Sequence, residues 1–106
     1  MILTGKCREG FEKWYNSNLG KKINVGHLSL YTLSENMVYS VIIDYFDSIG
    51  FYIEIQVLKI ETYPKYSFNM RNINFNMLSQ GDYFKSRQEA TEKAIEKANE
   101  ILNKEL

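Results

Sequence analysis

The chain has 106 residues, enough for one domain whose modest core needs no covalent staple. Thirteen basic and thirteen acidic side chains cancel, which excludes a global field drawing the protein to nucleic acid or an anionic membrane. One cysteine, Cys7, excludes an intramolecular disulfide and a cysteine-rich zinc site, and a hydrophobic fraction of 44% is too high for a disordered chain.

The opening run Met1-Ile2-Leu3-Thr4-Gly5-Lys6 is too short for a signal peptide, and no stretch reaches the length of a membrane span. A cytoplasmic protein with no membrane partner is the expectation. From about Thr4 to Leu19, Cys7, Phe11, Trp14, Tyr15 and Leu19 share one helical face, with Thr4 in the N-cap position and Gly20 as the stop. Gly10 weakens that helix by about 1 kcal/mol relative to alanine, so packing of Phe11 and Trp14 has to hold it. Ile23 to Thr32, containing Gly26 and His27, alternates weakly and predicts a connector or a short edge strand.

A second helix starts at Ser34. Met37, Val38, Val41, Ile42, Tyr45, Phe46 and Ile49 give it a broad apolar face, Leu33 is placed to staple against Val38, and Gly50 ends it. After Gly50 the period changes to 2. Phe51, Ile53, Ile55 and Val57 face one way and Tyr52, Glu54 and Gln56 the other, until the alternation slips at Val57-Leu58. Glu61 to Lys65, with the only proline at Pro64, reads as a reversal. Tyr66, Phe68 and Met70 then alternate with Ser67, Asn69 and Arg71. After a parity break near Arg71-Asn72, the alternation of Ile73, Phe75 and Met77 with Asn74 and Asn76 predicts a third strand, and Ser79 to Asp82 a turn.

The last helix is announced by Ser86 and Glu89, which form a capping box. Ala90, Ala94, Ile95, Ala98, Ile101 and Leu102 make one stripe, rich enough in alanine for the helix to lie close against a sheet. The whole predicts one α+β domain over residues 1–106. About three helices pack on a three-stranded antiparallel meander, in the order α-α-β-β-β-α, with the last two helices on the sheet. Its core is drawn from Phe11, Trp14, Val41, Ile42, Phe46, Ile53, Ile55, Phe68, Ile95 and Ile101. The many asparagines read as the compositional bias of an AT-rich genome.

Candidate chemistry is sparse. His27 is the only histidine, and no ligand spacing accompanies it, so a structural or solvated role is expected and neither metal nor cofactor is implied. Cys7 lies on an apolar face without a base and reads as a small hydrophobe. Asp44 and Asp47, three apart on the second helix, share a side that suits a cation or a substrate. Glu89, Glu92, Glu96 and Glu100 with Lys93, Lys97 and Lys104 read as ion pairs on a solvated face. Tyr52, Tyr63 and Tyr66 are the candidate aromatic contact surface, since tyrosine combines large area with a polar handle.

Phe46-Asp47-Ser48-Ile49-Gly50, a following strand, Ser86-Arg87-Gln88-Glu89-Ala90 and Ala94-Ile95-Glu96-Lys97-Ala98-Asn99-Glu100-Ile101 resemble small proteins of phages and Bacteroides-type bacteria. The resemblance covers the C-terminal two-thirds of the chain and implies a phage- or prophage-linked accessory role, with no site residues to carry over. From Ser34 to Lys104 the order helix, three strands, helix is similar to a double-stranded RNA-binding domain, a family that reads A-form shape with its helices, a loop and a lysine row. Here the row's paired lysines fall on Arg87-Gln88 and its next lysine on Thr91, and the loop reads Tyr63-Pro64-Lys65 with no histidine. The similarity implies phosphate contacts by Lys65, Lys85 and Arg87.

The function expected from these readings is a non-enzymatic module that binds a protein partner, or itself through an exposed strand edge. The competing expectations are a weak nucleic-acid binder using Lys65, Lys85 and Arg87, and a small enzyme using Asp44, Asp47 or His27.

Overall fold

The computed structural model describes residues 2–19, 34–60 and 63–105. Leu3, Cys7, Phe11 and Tyr15 recur every fourth residue and are all buried, and this stripe drives the first helix, α1 (Gly5–Trp14). The chain continues as a π-helical turn over Tyr15–Leu19, so the expected helix is present with its last turn widened. Its stop at Gly20, the segment Ile23 to Thr32 with His27, and the Leu33 staple lie outside the described residues.

Thr4 takes the N-cap position with extended backbone, but its side chain makes no cap bond. The cap comes from the far end of the chain. Cys7 N–H donates to Asn103 Oδ1 at 2.9 Å, and Thr4 N–H donates to Asn99 Oδ1 at 2.9 Å. In return Asn99 Nδ2 donates to Thr4 Oγ1 at 3.0 Å and Asn103 Nδ2 to the Thr4 carbonyl at 3.0 Å. Two asparagines of the last helix therefore hold the start of the first.

The second helix, α2 (Glu35–Ser48), is capped as expected: Ser34 Oγ accepts from Met37 N–H at 3.3 Å. Tyr39, Ile42, Tyr45 and Phe46 are buried, whereas Met37 and Ile49, assigned to the apolar face, are exposed. Gly50 ends the helix at φ +77°.

Strands β1 (Tyr52–Ile60), β2 (Tyr63–Arg71) and β3 (Met77–Gln80) form an antiparallel sheet in the order β1-β2-β3. The β1–β2 register runs from Tyr52↔Arg71 to Ile60↔Tyr63. Pro64 and Lys65 therefore belong to β2 rather than to the reversal, because a proline near a strand's start forfeits little of the ladder.

The third strand also differs from expectation. Ile73 to Asn76 form a loop, and β3 begins only at Met77. The Asn72 side chain accounts for this by offering the backbone another partner: its Oδ1 accepts from Asn74 N–H at 2.9 Å and from Asn76 N–H at 3.0 Å. Asn72 N–H donates to the Asn76 carbonyl at 3.0 Å, closing the loop. Ser79 and Gln80, read as a turn, are the end of β3, and Gly81 N–H extends the ladder by donating to the Phe68 carbonyl at 2.9 Å. Any side chain at Gly81 would run into the Phe68 ring.

The last helix, α3 (Arg87–Glu105), starts with Ser86 Oγ accepting from Glu89 N–H at 3.1 Å. Ala90, Ala94 and Ala98 are fully buried, so its backbone lies close to the sheet. Helices α2 and α3 both pack on the sheet, and α1 rests against α2 and α3. Phe11, Ile42, Phe46, Phe68 and Ile95 are buried as expected, and Trp14, Val41, Ile53, Ile55 and Ile101 pack half-buried around them.

Candidate interaction surface

Four exposed apolar side chains gather at one end of the sheet, while Met37, Val57, Leu58, Tyr63 and Tyr83 are exposed elsewhere. Ile73 is 68% exposed and Phe75 is 67% exposed, with Ile49 and Met77 exposed beside them. The Asn72 loop builds this tip. Phe75 N–H donates to the Asn72 carbonyl at 2.8 Å, and Phe75 itself is held at φ +60°, a left-handed conformation costly for a bulky L-residue. Its ring stacks on Tyr52, centroids 5.6 Å apart and 16° from parallel. Arg71 Nη1 donates to the Phe75 carbonyl at 3.3 Å. Ile73 leans on Gly50, where an added Cβ would come 3.1 Å from the Ile73 Cβ. The tip is thus a braced apolar surface: Ile49 and Ile73 on the α2 side, Tyr52 and Phe75 in the middle, Met77 on the β3 side.

The three tyrosines of the expected contact surface are not brought together. Tyr52 and Tyr63 lie at opposite ends of the β1–β2 ladder. Tyr66 alternates onto the other face of the sheet with Phe68, and the Arg87 guanidinium sits over its ring, 5.7 Å from the centroid. Only Tyr52 joins the tip. Sequence reasoning missed Ile73, Phe75 and Met77 as site residues because their alternation imitates a strand. The signal was the parity break at Arg71-Asn72, followed by asparagine at every second position.

Lys65 alternates with Tyr66 onto the opposite face of β2 from Arg87, so Lys65, Lys85 and Arg87 form no single row. Arg87 instead borders a cleft of about 380 Å³ between α2 and the start of α3, lined also by Asn36, Tyr39, Ser40, Ile43, Gln88 and Thr91. A second cleft of about 300 Å³ runs between β3 and α3, floored by Phe68 and Phe84 and walled by Lys93, Glu96, Lys97 and Glu100.

Asp44 and Asp47 are both on α2, and among the described residues neither has a salt-bridge partner. Partial burial, and then the charge of Asp44, push the Asp47 carboxyl above its ordinary 3.8. Burial pushes the Cys7 thiol up to about 11, so it stays protonated at neutral pH. His27 lies outside the described residues, and among those described no three His, Cys, Asp or Glu side chains gather where a metal could bind. The charges of α3 pair along its solvated face: Lys93–Glu96 at 3.3 Å, Lys97–Glu100 at 3.7 Å and Lys104–Glu100 at 3.3 Å. No helix of the described residues is long and apolar enough to cross a membrane.

No protein-family model, curated protein or solved structure matches the chain.

Proposed function

We propose that this chain is a non-enzymatic protein-interaction module that makes contact through the tip formed by Tyr52, Ile73, Phe75 and Met77. The observation that carries the reading is Phe75, held two-thirds exposed at φ +60° by a loop that the Asn72 side chain closes. Left-handed backbone at a non-glycine residue costs on the order of 1–3 kcal/mol, and leaving a phenylalanine in water forgoes about 1.5–3 kcal/mol of burial. A loop that carries both costs and is braced by Tyr52, Arg71 and Gly50 is built to present that ring. Aromatic side chains are the usual anchors of protein contacts. The accessory role implied by the resemblance to phage-linked proteins agrees with a module of this kind.

Hydroxyl-radical footprinting tests the proposal. Oxidation of Phe75 and Met77 is compared between the dilute pure protein and the protein added to extract of cells that make it. Protection at the tip, with Tyr63 unchanged, is the expected result. Equal oxidation at the tip in both samples overturns the reading.

A further inference from the structure

We infer that the cleft between α2 and the start of α3 binds a small organic anion, a carboxylate or phosphate ester carried on an apolar body. The site is separate from the tip. It runs beside the first part of α2, from Asn36 to Ile43, whereas the tip lies beyond the end of that helix at Gly50. Its volume of about 380 Å³ falls in the range of small-molecule sites. The charge of its walls sets the sign of the ligand. Among the described residues, Arg87 is the one charged side chain that lines it. Asp44, Glu89 and Glu92, each next in sequence to a lining residue, do not. A chain with no net charge thus presents a local positive charge here.

Arg87 is prepared for such a ligand. Its guanidinium lies over the Tyr66 ring, 5.7 Å from the centroid, a contact that orders the planar fork without consuming its N–H groups. Among the described residues it has no carboxylate partner. The carboxamides of Asn36 and Gln88 bring further N–H donors to the same walls. The hydroxyls do not compete for the anion, because both are spent on helix carbonyls. Ser40 Oγ donates to the Asn36 carbonyl at 3.1 Å, and Thr91 Oγ1 to the Arg87 carbonyl at 2.8 Å. Tyr39 and Ile43 supply the apolar wall. An inorganic ion would leave that wall facing water, and an uncharged apolar molecule would leave Arg87 unpaired. An organic anion satisfies both. A single cation also neutralises too few phosphates to hold a nucleic acid.

Titration of the full chain with phenyl phosphate, phenylacetate, inorganic phosphate and benzyl alcohol, followed in proton–nitrogen NMR spectra, tests the inference. Phenyl phosphate or phenylacetate is expected to shift the Ser40, Gln88 and Thr91 amides saturably and to leave those of Phe75 and Met77 in place. Whichever of the two binds tighter assigns the anionic group. Inorganic phosphate and benzyl alcohol each lack half of the ligand and bind roughly tenfold weaker or less. Arg87→Gln weakens the organic anion by roughly tenfold or more. Ser40→Phe, at an exposed position, places a ring in the cleft and weakens binding by a similar factor with Arg87 intact. Circular dichroism of each variant confirms that it is folded. No saturable shift with either organic anion, or binding that both variants leave unchanged, overturns the site. Inorganic phosphate bound as tightly as phenyl phosphate would show an adventitious ion only. Benzyl alcohol bound as tightly would show a groove indifferent to charge. Either result overturns the ligand class.

Discussion

Phe75 joins conformation, packing and function at a single residue. Its φ of +60° is one that asparagine tolerates far better than phenylalanine. Phe75→Asn is therefore expected to leave unfolding stability within about 1 kcal/mol of the wild type, since relieved strain offsets the lost Tyr52 stack, while association through the tip is abolished. Urea denaturation, and footprinting of Met77 in cell extract, check both halves. Gly50→Ala works the other way: a methyl at φ +77° that also presses on Ile73 costs about 1–2 kcal/mol in urea denaturation. Asp47 adds a pH dependence of known sign. Its carboxyl titrates above 3.8 in the folded chain, so it opposes folding at neutral pH, and its contribution to stability rises as pH falls through the folded value. Asp47→Asn raises the urea midpoint at pH 7 and flattens that rise as the pH falls into the acid range.

At the scale of elements, the helix α3 does more than cover the sheet. Its three buried alanines set the spacing to β2, and its last turns reach back to cap α1 through Asn99 and Asn103. Asn103→Ala removes the acceptor for Cys7 N–H and the donor to the Thr4 carbonyl, and costs about 1–2 kcal/mol by urea denaturation. Asn103→Asp keeps the acceptor and loses less. The helices were legible in the sequence because burial at a period of 3.6 and the caps at Ser34 and Ser86 are local signals. Strands β1 and most of β2 were legible through their period of 2. The division between loop and β3 was not, because Ile73, Phe75 and Met77 alternate as a strand does. Only the distribution of backbone partners, which Asn72 decides, separates the two. The α1 cap was hidden for another reason: Thr4 and Asn103 are almost the whole chain apart, and no local pattern connects them.

Across the whole molecule, the helices take one face of the sheet and the turn between α2 and β1 meets the β2–β3 loop at one end. That meeting makes the tip. Ile49, Tyr52 and Phe75 come from separate elements, so no linear motif announces the surface, and Tyr63 and Tyr66, plausible by composition, fall elsewhere. The same architecture divides the basic residues, since Lys65 and Arg87 occupy opposite faces of the sheet. Fluorescence anisotropy with duplex RNA at low salt is accordingly expected to show no saturable binding, as separated cations neutralise too few adjacent phosphates. The measurement that bears most directly on the account is photo-cross-linking from a benzophenone side chain placed at position 75, and separately at position 63, in cells that make the protein. Both positions are exposed aromatics, at opposite ends of the β1–β2 ladder. A discrete protein adduct from position 75 and none from position 63 is the predicted result. Adducts from position 63 alone, or none from position 75, would contradict it.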